Sequence, residues 1–343
     1  MASNAQALNR SLGLARGAPS RTGALPFAAV FIAFCILASS LVAWLPIQLS
    51  FATVFLFAGP HNWMEFRFFL GRMPLHWGRA RTFYSTALGG VGLLTVAYAG
   101  LYLAGGSWYL SQTTWTVSTA IWNSAIILWI AGLVYIRGRE RRRDRSFVFP
   151  IAFALSAAVW LAPFWFSLGL VYLHPLIALW FLDRELKRRR PEWRTAYHGC
   201  LGALAAILVL MWVRLASAQN LDDGGDVSWR ITQHAGAGFL TGVSSHLLVS
   251  THVLLETVHY GAWLVLIPLI GLNSWPWKTD RIPLASPRAG WPRLTGAVLI
   301  AGGIVVLFLW GSFYVSYATT RDIYFTFAIA HVLAEAPFLI RLL

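Results

Sequence analysis

The chain has 343 residues, 57% of them hydrophobic and only 12% charged, a balance that excludes an ordinary soluble globular domain over this length. Its net charge of +14 is gathered into short clusters between apolar runs, Arg137 to Arg145, Arg184 to Arg194 and Lys278 to Arg293. That is the pattern of loops flanking membrane spans and not a basic stripe for nucleic acid.

In chain order, residues 1–25 carry arginine but no acid and read as a flexible cytoplasmic tail. Residues 26–343 read as a single transmembrane helical domain. Apolar runs recur at about 26–46, 48–71, 84–104, 114–136, 147–162, 164–183, 199–218, 240–271, 294–317 and 322–341, each near the length that spans a bilayer. The stretch 147–183 is too long for one span and is divided at Pro163. Basic loops alternate with weakly charged ones, and 219–227 is acidic, which places both termini in the cytoplasm. The eighteen tryptophans suit the two interfacial belts. The expectation is an all-α polytopic membrane helix bundle of about ten transmembrane helices, in an inner or plasma-type membrane. Cys35 and Cys200 fall in different spans and suggest neither a disulfide nor a thiolate site.

Against this apolar background, ionisable residues inside the spans stand out, because each charged group at a helix centre costs roughly 2.5–3.5 kcal/mol. His61 and Glu65, and likewise His331 and Glu335, are His-x-x-x-Glu pairs that share a helix face. His252, Glu256 and His259 also point one way at 100° per residue, and Glu256 with His259 forms the Glu-x-x-His spacing of helix-bundle carboxylate metal sites. His174, followed by Pro175, stands alone in its span. The predicted metal ligands or their orienting partners are therefore His61, Glu65, His174, His252, Glu256, His259, His331 and Glu335. A weak repeat supports a shared layer: His61, His174 and His331 each precede a phenylalanine by seven residues and an arginine by ten or eleven. His76, His198, His234 and His246 lie in loops or near span ends and receive no role. Asp183 is expected to pair with Arg184 or Lys187. Gly89-Gly90 and Gly302-Gly303 are expected to let helices approach, and Asn123 to make an interhelical hydrogen bond. Trp160, Phe164, Trp165 and Phe166 are candidates for an apolar slot.

Imidazole with carboxylate and no thiolate suits non-haem iron, with zinc, manganese or copper as alternatives. Two facing histidines could instead hold haem. No catalytic residue beyond the ligands is indicated, and no phosphate loop or nucleophile elbow is present.

The run Gly59-Pro60-His61-Asn62-Trp63-Met64-Glu65 resembles the Pro-His-Gly-x-x-Asp motif of the Brp/Blh family of membrane β-carotene dioxygenases, with Asn62 in place of Gly and Glu65 in place of Asp. His252 with His259, and His331 with Glu335, are similar in order to that family's late paired-His helix and its last-helix His and acid. The resemblance implies a membrane iron enzyme. Together these readings lead to an integral-membrane non-haem iron oxygenase acting on a lipid-soluble substrate: a carotenoid, isoprenoid or acyl chain. The alternatives are a membrane haem or electron-transfer protein and a proton-coupled transporter with a His/Glu relay.

Overall fold

The computed structural model describes residues 23–107, 110–222, 224–272, 279, 282–288 and 290–342; the first 22 residues of the expected tail lie outside them. Every regular element among the described residues is helical. In chain order the α-helices are α1 (Ala24–Trp44), α2 (Pro46–Arg72), α3 (Arg81–Ser107), α4 (Gln112–Glu140), α5 (Val148–Leu161), α6 (Pro163–Arg189), α7 (Arg194–Leu215), α8 (Asp226–His234), α9 (Ser245–Gly261), α10 (Pro292–Val315) and α11 (Tyr317–Leu342). Eight are long and apolar enough to cross a membrane. The other two expected spans are present as helices. α2 has 27 residues but carries Glu65, Arg67 and Arg72. α5 has only 14, about 21 Å of rise against a hydrocarbon core of about 30 Å. The break falls where Pro163 predicts it: Ala162 leaves helical geometry (φ −153°, ψ 71°) and Pro163 opens α6.

One expectation about local structure is corrected. The acidic 219–227 segment is not all loop. From Asp226 the chain forms amphipathic α8, which buries Ile231 and Thr232. α2 itself continues through Gly59-Pro60 to Arg72.

α2, α6, α9 and α11 form the centre. α9 packs on α1, α2, α6 and α7, while α11 packs on α2, α3, α4, α6 and α10. α9 is the most buried span and α10 the least. The α10 face with Ile304, Leu307 and Phe308 is open to the surroundings, as a lipid-facing helix requires. Two glycines act through side chains of the next helix. A Cβ on Gly302 would lie 2.9 Å from Trp63 Cδ1, and the same indole donates to the Leu299 carbonyl at 2.9 Å, fixing α2 against α10. Gly90 makes room for Trp129 in the same way, whose Nε1 donates to the Thr86 carbonyl at 3.0 Å. Asn123 donates to the Pro163 carbonyl at 2.9 Å and to Ser167 at 3.2 Å, the interhelical bond expected of it.

The repeat of His, Phe and Arg becomes a set of layers. Seven residues are about 10.5 Å of helix. At that distance beyond His61, His174 and His331, the rings of Phe68, Phe181 and Phe338 join Phe69 and Trp263 in one aromatic floor. Phe68 and Phe181 meet at 5.9 Å, Phe69 stacks on Phe338 at 4.2 Å, and Phe181 lies 5.4 Å from Trp263. Such pairs contribute about 0.5–1.5 kcal/mol each beyond area burial. Below the floor two of the three arginines are tied in ion pairs, Arg72 to the fully buried Glu185 and Arg341 to Glu140 at 2.8 Å, while Arg184 lies over the Trp180 ring, 6.0 Å from its centroid. Asp183 pairs with neither Arg184 nor Lys187. Arg194 holds it through two bonds of 2.8 and 3.0 Å and His198 through one of 2.9 Å, because the start of α7 folds back alongside the end of α6.

Candidate metal centre

Above the aromatic floor, one imidazole arrives from each central helix: His61 from α2, His174 from α6, His259 from α9 and His331 from α11. Ring centroids lie 5.3 Å apart for His61 and His259, 5.2 Å for His61 and His331, 4.6 Å for His174 and His259, and 4.9 Å for His174 and His331. Donor atoms of His61, Glu65, His259 and His331 all fall within 4.8 Å of one another, and so do those of His174, His259 and Glu335. His259 belongs to both groups and joins them into one cluster.

The sequence around the cluster loosens the hydrogen bonding of its helices. Pro60 precedes His61, Pro175 follows His174, and Pro337 lies two residues beyond Glu335. Each proline removes one hydrogen bond from its helix, a defect that a membrane helix tolerates where neighbours satisfy the backbone. α9 has no proline before its histidine; instead it widens into π-helical turns at Ala262–Leu266 and Pro268–Leu272, directly after His259. Such turns recur at functional sites. His259 is held from the neighbouring helix: Pro175 O accepts from His259 Nδ1 at 3.2 Å.

These contacts set the tautomers. A carbonyl can only accept, so Nδ1 of His259 carries its proton, and so does Nδ1 of His61, which donates to the Phe57 carbonyl at 3.0 Å. In both rings Nε2 is left with its lone pair. His174 Nδ1 meets Glu335 Oε2 at 2.8 Å, the carboxylate–imidazole pair that fixes metal-bound histidines. His174 Nε2 then faces His331 Nε2 at 3.2 Å. Bonds of 2.0–2.1 Å from one tetrahedral ion put neighbouring nitrogens about 3.3 Å apart, so this spacing suits two ligands on one ion. Several polar atoms of the cluster are buried without a hydrogen-bond partner: both carboxylate oxygens of Glu65, His259 Nε2, His331 Nδ1 and Glu335 Oε1. Each such orphan costs about 1–3 kcal/mol, and a cation held among them would satisfy the oxygens and His259 Nε2. The donor set therefore fits a metal ion.

Two of the eight expected residues stand apart. His252 lies about 10.5 Å along α9 from His259 and packs against Tyr172 and His234, 5.9 and 5.1 Å away. Glu256 accepts from Tyr260 Oη at 2.7 Å. Both line the cavity that leads to the cluster but join neither ligand group. That cavity has a volume of about 280 Å³ and its wall includes Tyr98, Trp122, Leu170, Tyr260, Tyr324 and Ile329. The expected slot residues Trp160, Phe164, Trp165 and Phe166 are not in it. Trp160 and Trp165 face outward, and Phe164 stacks on Phe239 at 5.3 Å.

Sequence reasoning missed several residues beside the cluster. The Tyr260 ring lies 4.5 Å from His61, and its i,i+4 spacing from Glu256 was a readable signal. Tyr324 accepts from Asn62 at 3.1 Å and donates to the Ala58 carbonyl at 3.3 Å. His234 was set aside as a loop residue; it ends α8 and lines the cavity.

Comparison of the chain with protein-family models, curated proteins and solved structures finds no match.

Proposed function

We propose that this multi-pass membrane protein is a metal-dependent oxidoreductase, an oxygenase built on non-haem iron that acts on a lipid-soluble substrate such as a carotenoid, isoprenoid or acyl chain in an inner or plasma-type membrane. The observation that carries the proposal is the convergence of four imidazoles and two carboxylates from four helices, with lone pairs turned toward one another. His61, Glu65, His259 and His331 would hold one ion; His174 and Glu335 either share it or hold a second. Iron bound there would supply activation of dioxygen. The chain's own part is separate from that chemistry. The Phe57 and Pro175 carbonyls and Glu335 orient the imidazoles, the aromatic floor keeps water from below, and the largely apolar cavity admits substrate from above. Nitrogens 3.2 Å apart suit adjacent corners of one coordination shell and not opposite faces of a porphyrin, which favours non-haem iron over haem.

Metal quantification with an absorption spectrum on the full chain in mild detergent tests the proposal. About one or two equivalents of iron per chain and no Soret band are expected. Metal far below one equivalent with the histidines intact, or a Soret band, would overturn it. Proton transport in liposomes that survives chelation would replace it with a His/Glu relay.

A further inference from the structure

Arg321 stands in the wall of the same cavity and is only 5% exposed. It lies ten residues before His331 on α11, about 15 Å away along the helix axis. Its guanidinium sits over the Phe325 ring, 4.7 Å from the centroid. Among the described residues it forms no ion pair, though Tyr317 and the acids Glu256 and Asp322 are near enough to act on its charge. The neighbouring Asp322 is held by Arg230, which also bonds Asp226 at 3.0 Å. Arg321 Nε is buried with no hydrogen-bond partner. A guanidinium is rarely buried unless paired, and one placed inside an apolar bundle marks a ligand or ion path by default.

We propose that Arg321 binds the carboxylate of a single-chain amphiphile whose tail runs through the cavity to the histidine cluster. This deepens the oxygenase reading and rests on it for the fate of the tail. Among the described residues Arg321 is the only lysine or arginine lining the cavity, whose acids are Glu256 and the Arg230-paired Asp322, so a singly charged head group suits it better than a phosphate ester. The guanidinium fork matches a carboxylate in two parallel bonds. The rings of His234 and His252, 5.1 Å apart beside it, can add N–H donors. Toward the cluster the lining turns to Tyr98, Trp122, Leu170 and Ile329, a surface for hydrocarbon. A volume of about 280 Å³ accommodates one chain and not a diacyl lipid. The axial separation of about 15 Å puts the reacting carbon well down the tail, away from the acid group.

Palmitic acid and palmityl alcohol are the probes, titrated by displacement of a fluorescent fatty acid from the purified full chain in detergent. Wild type is expected to bind the acid about ten- to a hundredfold more tightly than the alcohol, the range of a charge-assisted hydrogen-bonded pair. Arg321→Gln should abolish that preference and Arg321→Lys should keep part of it. His331→Ala should keep it in full while losing metal, so the head-group result stands or falls separately from the metal reading. Equal binding of acid and alcohol by wild type, or an undiminished preference in Arg321→Gln, would overturn the proposal. Where Arg321→Gln does not fold, the wild-type comparison decides alone.

Discussion

At the scale of single residues, the cluster is separated from its neighbours by depth along the helix. His252, Glu256 and His259 share a face of α9, and a helical wheel cannot tell them apart. Axial rise can: His252 is about 10.5 Å from His259, and only His259 reaches the other three imidazoles. Hence His259→Ala and His331→Ala should each lower bound metal to less than about a tenth of the wild-type amount. His252→Ala and Glu256→Gln should leave it unchanged. Glu335→Gln, which weakens the support of His174 from outside, should lower affinity about 10- to 100-fold. Metal content after competition with a chelator measures all three outcomes, and equal loss in the His252 variant would return that residue to the ligand set. Six of the eight expected residues meet in the cluster, and they stood out in the sequence because ionisable side chains in hydrocarbon are costly. The pairing of Glu256 with Tyr260 was not, since it depends on which rotamer the neighbouring helices leave open. Arg321 escaped notice because it sits one residue before the expected start of its span at 322.

The helices themselves read well, because a run of about twenty apolar residues has few other uses. The division at Pro163 followed from a stretch too long for one span together with the proline inside it. What the pattern did not convey was α8, a nine-residue amphipathic turn too short for a span. Nor did it convey the π-helical stretch after His259, which follows Gly261 and takes in Pro268. The prolines raise a question of cost at this scale. A proline inside a helix costs about 3 kcal/mol in water, and three of the four helices around the cluster carry one next to a ligand. We expect Pro175→Ala to shift stability and function in opposite directions. Restoring the bond to the Val171 carbonyl should stabilise α6 by up to about 3 kcal/mol. Straightening the helix should also draw the Pro175 carbonyl away from His259 Nδ1 and weaken metal binding about tenfold, within the range for lost orienting contacts. Thermal melting and metal titration of the same preparation give the two signs. A variant that melts lower, or binds metal as tightly as wild type, would show that the prolines serve packing only.

Taken as a whole molecule, the bundle has two chemically different ends. One gathers the basic segments of five helices: Arg72 and the Arg188–Arg189 pair around Glu185, Arg137 and Arg341 around Glu140, and Arg194 on Asp183. The other is held by Arg230 between Asp226 and Asp322, next to the acidic segment containing Asp222. The sequence implied this asymmetry through alternating loop charge. The contacts between α2 and α6, and between α4 and α11, add that the basic termini meet at one surface. Positive residues are retained on the cytoplasmic side during insertion, so the arginine end should face the cytoplasm and the mouth near Arg321 the opposite side. Single cysteines at Arg142 and Arg188, in a background with Cys35 and Cys200 replaced by alanine, should react with a membrane-impermeant maleimide only after the membrane is opened. A cysteine at Asp222 should react in sealed cells. The reverse pattern would invert the protein. It would also turn the cavity mouth toward the cytoplasm, so that a carboxylate substrate would have to approach from the inner leaflet.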